Sequence, residues 1–141
     1  MRPTMAYSLF KRSLFLVLHT KDNPTDAEWA EYLKFVQANI DKIQSTMILT
    51  QGGGPNATQR GEMTDLIEAN HLKLVVSVVT LSRMVRGIVT ALSWFNPNIK
   101  AFSTIQIPAA MEYLKVAKPD QNALMAEIDR LKATLGIVDP T

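Results

Sequence analysis

The chain has 141 residues, 47% apolar and 20% charged, which predicts one domain with a continuous core and excludes a disordered chain. Its 15 Lys and Arg against 13 Asp and Glu leave a net charge of +2, too small and too dispersed for a nucleic-acid binder. It contains no cysteine, which excludes disulfides, thiolate metal sites and cysteine nucleophiles.

Residues 7–20 (YSLFKRSLFLVLHT) read as strand, with Lys11–Arg12 as a tight turn that makes a hairpin. LFLVL at 14–18 is apolar on both alternating sets, as in a strand covered on both faces. It is too short for a signal peptide and is followed by polar HTKDN, and no segment reaches the ~20 apolar residues of a membrane span. A cytoplasmic protein is the expectation. Thr25 and Glu28 have capping-box spacing, and Trp29, Leu33, Val36, Ile40 and Ile43 then recur as a helical stripe.

STMILT at 45–50 predicts a second buried strand, followed by the glycine loop GGGPNATQR and a helix over 56–70 carrying Met63, Leu66 and Ile67. KLVVSVV at 73–79 is β-branched and uninterrupted, hence strand. Thr80 or Ser82 caps the next helix, whose buried stripe is expected to be Leu81, Val85, Ile88, Leu92 and Phe95, with NPN at 96–98 ending it. IKAFS at 99–103 is a last short strand. Pro108 opens a short helix through Val116, and Pro119–Asp120 open a final one with Leu124, Ile128, Leu131 and Leu135, closed by Gly136. The order β(β)αβαβαβαα predicts an α/β fold, its central sheet mostly parallel, with four to five strands, about five helices and an antiparallel N-terminal edge. The final helix, 119–137, reads as an element appended to that domain.

The glycine loop is the first candidate site, because it joins a strand end to a helix N-terminus, where anions are favoured. It lacks the lysine and Ser/Thr of a Walker loop and is not G-x-G-x-x-G. Gly52, Gly53 and Gly54 either bring backbone close to a phosphate or simply turn the chain, and Asn56 with Gln59 reads as a helix cap. His19 and His71 have no second ligand at metal spacing, and Glu127–Arg130 is a surface pair. No catalytic constellation and no cofactor is implied.

The second candidate is the flank of the 80–96 helix opposite its expected stripe. Arg83, Gly87, Thr90 and Trp94, with Arg86 and Ser93 beside them, do not look like an ordinary Glu/Lys solvent face. Gly87 costs about 1 kcal/mol relative to alanine inside a helix, so packing is suspected, against either another chain or a neighbouring helix.

In Gly52–Arg60 and VVTLSRMVRGIVTALSWFNPNIKAF, the chain resembles the STAS superfamily, the fold of bacterial anti-sigma factor antagonists. Over roughly residues 7 to 116 it is closest to an uncharacterised bacterial branch grouped with both STAS and lipid-transfer-like (CRAL-TRIO) domains, and AMEYL at 110–114 looks like that branch's closing helix. The resemblance implies a non-enzymatic regulatory module acting on a protein partner. STAS antagonists are switched on a serine that follows an aspartate at the start of the second helix. Here Asn56 and Ala57 stand at those positions, so the switch is not expected, and Thr58 is the neighbouring hydroxyl. The alternative is a small anionic or lipid-like ligand held by Gly52–Gly54, Thr58 and Arg60. A pocket beside the loop would favour that ligand, whereas an exposed Trp94 on an apolar patch would favour a partner or a homodimer.

Overall fold

The computed structural model describes residues 2–94 and 96–138. A hairpin comes first: β1 (Met5–Phe10) and β2 (Leu14–His19) pair antiparallel, with Met5 opposite His19 and Phe10 opposite Leu14. Lys11 and Arg12 adopt φ of 51° and 62°, the left-handed pair that a tight hairpin turn demands. β3 (Ser45–Thr50), β4 (Val75–Val79) and β5 (Ile99–Phe102) then add in parallel, giving a five-stranded sheet in the order β1-β2-β3-β4-β5. The expected α/β architecture, with its antiparallel N-terminal edge, is what the chain adopts.

Helices cover both faces. On one, α1 (Asp26–Ala38) and α2 (Ala57–Ala69) pack over Met5, Phe15 and Val17, with Trp29, Tyr32 and Val36 buried beneath α1. Tyr32 lies between Trp29 and Tyr7, ring centroids 5.0 and 5.1 Å away. On the other face, α4 (Ile107–Tyr113) and α5 (Lys118–Leu135) cover Leu16, Leu18, Met47, Leu49 and Val79. All four leucine and isoleucine positions of the α5 stripe, Leu124, Ile128, Leu131 and Leu135, are buried. α5 therefore supplies one wall of the core.

The helix between β4 and β5, α3 (Arg83–Ser93), departs from expectation. Ser82 caps it, its hydroxyl accepting from the Val85 amide. Of the stripe expected to be buried, Leu81, Ile88 and Leu92 are exposed, and Phe95 lies outside the described residues. The buried contact is Val89, with Val85 half-buried beside it. The physical reason is the narrowness of what lies beneath. β5 is a four-residue edge strand, and it offers room for one row of side chains where the apolar arc of α3 is two rows wide.

Candidate functional site

The glycine loop lies at the C-terminal end of β3, and the structure accounts for its residues one by one. The Thr50 hydroxyl accepts from the Gly52 amide and donates to the Gly53 carbonyl. Gly52 sits at φ +129°, a region that side chains avoid. The Gly53 amide donates to the Thr20 carbonyl at 2.9 Å, and a Cβ on Gly53 would lie 2.3 Å from the Asp22 carbonyl oxygen. The loop after β2 thus lies directly on Gly53, which is buried. Gly54 meets neither constraint, having open space around it and no positive φ.

Asn56 closes the loop as the cap of α2: its side chain accepts from the Gln59 amide, and Gln59 Oε1 accepts from the Asn56 amide, each at 2.9 Å. Gln59 goes further than a cap requires. Only 1% exposed, it sends Nε2 to the Pro24 carbonyl and to Asp26 Oδ1, both at 3.1 Å, and so ties the start of α2 to the start of α1. Capping-box spacing marks Gln59 in the sequence, but nothing there signals this second task. Arg60 turns back onto the Pro55 carbonyl at 2.9 Å, and Thr58 is exposed in the first turn. The geometry favours a turn that fixes the two helices over an anion cradle. Asn56→Ala is accordingly expected to cost about 1 kcal/mol in chemical denaturation, while Arg60→Ala should leave the midpoint unchanged.

His19 ends β2 as expected, yet it is buried, not a solvated strand end. Met5 and Thr50 flank it on the neighbouring strands, and its Nδ1 has no hydrogen-bond partner. Burial pushes its imidazole down to about 4, against an upward pull from the Glu28 carboxylate. Burial also raises Glu28, but hydrogen bonds from Thr25 and Thr4 outweigh it and hold that carboxyl below its ordinary value. Among the described residues, no three His, Asp or Glu lie close enough to share a metal ion.

α3 presents the other candidate surface. Met84 is 73% exposed, Ile88 50%, Leu92 45% and Leu81 54%, and Trp94 at the helix end is 80% exposed. Arg83, Gly87 and Thr90 are exposed with them, whereas Arg86 and Ser93 are half-buried. The exposed surface is therefore wider and more apolar than the flank read from the sequence. The glycine loop and the α3 flank are not brought together as one site. α3 starts beside the C-terminal ends of the strands but runs back across the sheet, carrying Trp94 to the opposite edge. A cleft of about 660 Å³ opens at the N-terminal edge of the sheet, lined by Phe10, Leu14, Val75, Tyr113, Lys11 and Lys115.

No protein-family model matches this sequence, and no curated protein is similar to it in sequence. Among solved structures, it is similar to an uncharacterised protein of the DUF3478 family from Shewanella loihica PV-4, described as having a SpoIIAA-like fold. The two are 12% identical, and the match covers 81% of this chain and 95% of that one with a TM-score of 0.63. The fold is SpoIIAA-like, the STAS-type arrangement that the sequence resembles.

Proposed function

We propose that this protein is a non-enzymatic regulatory module that works in the cytoplasm by binding a protein partner through the apolar face of α3. The observation that carries this reading is the exposure of Leu81, Met84, Ile88, Leu92 and Trp94 on one helix and its end. A single exposed leucine is ordinary, but several exposed apolar residues along one helix face, with an exposed tryptophan on its adjoining flank, mark an interface. The SpoIIAA-like scaffold supports the reading only as a scaffold, and the lack of cysteine suits a reducing compartment. No helix among the described residues is long and apolar enough to cross a membrane.

The test is a photo-crosslinking residue placed at Met84 in the native host, with a second at Thr58 on the glycine-loop side. Polypeptide adducts at position 84 and none at 58 are expected. Adducts at 58 alone would move the surface to the loop and overturn the assignment. Met84→Asp should meanwhile change stability by less than about 0.5 kcal/mol, because a side chain so exposed leaves little packing to lose.

A second reading, binding of a small anionic or lipid-like ligand, draws on the cleft at the N-terminal sheet edge. Its volume falls in the range of small-molecule sites. Against it, Lys11 already pairs with Asp120 at 3.8 Å. Native mass spectrometry of protein from its own host separates the two. A retained anion lost on Lys115→Ala would favour the cleft.

A further inference from the structure

We infer that the partner seated on the α3 face is a second copy of this chain, held antiparallel about a two-fold axis at Ile88; the inference rests on the reading of α3 as an interface. Three observations lead there, the first of which is area. The exposed parts of Leu81, Met84, Ile88, Leu92 and Trp94 amount to on the order of 600 Å² of apolar surface. That reaches the upper limit of the largest patch on a typical monomer and approaches the ~800 Å² that each partner gives to a stable interface.

Gly87 is the second. A Cβ there would meet nothing within 4 Å among the described residues, so no packing among them calls for glycine. Its helix penalty stays uncompensated in a monomer. At a crossing between two helices, the missing side chain lets the partner's backbone approach.

The third is register and charge. Met84, Ile88 and Leu92 follow at i, i+4, i+8 and share a face. A two-fold axis at Ile88 sets Met84 against the partner copy's residue 92 and Ile88 against its own counterpart. Trp94 follows Arg83 by roughly three turns, so both project from the same flank of the helix. Antiparallel pairing brings like flanks together end to end, placing each arginine beside the other copy's indole, a cation–π pair of the residue types that anchor interfaces. Parallel two-fold pairing would instead place the two Arg83–Trp94 flanks on opposite sides of the pair and leave no such contact.

Light scattering at high micromolar concentration should give twice the 15.7 kDa chain mass for the wild type. Ile88→Glu should return the mass to 15.7 kDa, weakening association at least ~100-fold, with an unchanged circular dichroism spectrum. The absence of native cysteine permits a second, independent readout. Ile88→Cys should form a covalent dimer on oxidation. Met84→Cys should not, because antiparallel helices hold those two positions roughly 12 Å apart along the axis. A monomeric wild type overturns the inference, as does a dimer that survives Ile88→Glu or that crosslinks through Met84→Cys. If the monomer's Met84 photo-adduct is a different protein, self-pairing fails while the interface reading stands. If the monomer gives no adduct at position 84 and instead floats with anionic phospholipid vesicles, both fail and α3 is a membrane-surface helix.

Discussion

Gly53→Ala is expected to destabilise the fold by about 3 kcal/mol or more, the largest single effect in the glycine loop. An added methyl carbon would lie 2.3 Å from the Asp22 carbonyl oxygen and 2.5 Å from that of Thr20. Both are backbone atoms, so neither can rotate aside as a side-chain tip would. Relief requires the 20–24 segment to move, which strains the Gly53–Thr20 hydrogen bond and the Gln59–Pro24 contact beside it. The three glycines should separate cleanly in urea titrations. Gly52→Ala is limited by its positive φ and should cost about 1–2 kcal/mol. Gly54→Ala should stay within about 0.5 kcal/mol of wild type, or gain slightly from a less flexible unfolded chain. Equal costs at all three positions, or a neutral Gly53→Ala, would contradict the close approach of the two loops.

What the sequence made legible was local. The Thr25–Glu28 and Asn56–Gln59 capping boxes, the α5 stripe and the Lys11–Arg12 turn depend on residues a few positions apart and form as expected. α1, by contrast, ends at Ala38, so Ile40 and Ile43 of its expected stripe lie beyond the helix and Tyr32 joins Trp29 and Val36 in the core. The parallel pairing of β2 through β5 followed from the alternation of elements, since each parallel strand needs a crossover helix, but the order in which the strands lie did not. Its limit was α3. Periodicity shows that a helix has an apolar face, but not whether the rest of the chain is wide enough to cover it. With a four-residue edge strand beneath, Val89 is buried while Ile88 and Leu92 are left in solvent. The structural part played by the glycine loop was hidden for a related reason. Gly53 and Gln59 owe their roles to the 20–26 segment, more than thirty residues away in the chain. Local pattern carries no trace of that contact, so the sequence leaves the loop as either a turn or an anion cradle.

Acidification from about pH 7 to about pH 4.5 should remove most of about 3 kcal/mol of stability through His19 alone. The imidazole titrates near 6.5 when unfolded and at about 4 in the fold, where burial disfavours its charged form. Between those values the unfolded chain binds the extra proton and the native one does not. Stability therefore rises with pH across that window, and is lost as pH falls through it. Glu28 acts in the same direction but lower down: its depressed carboxyl stabilises the fold above the ordinary carboxylate range and loses that contribution only on stronger acidification. Keeping the measurement above pH 4.5 isolates the histidine. His19→Leu removes both the titrating group and a buried nitrogen that lacks a partner, so at neutral pH its cost should be small or even favourable. Urea denaturation of both proteins across the window supplies the comparison. The wild-type curve should slope while the variant's stays flat over the same range. Parallel curves would mean that His19 is protonated in the fold, with Glu28 or water reaching its ring. In that case the closed strand end between Met5 and Thr50 is open to solvent.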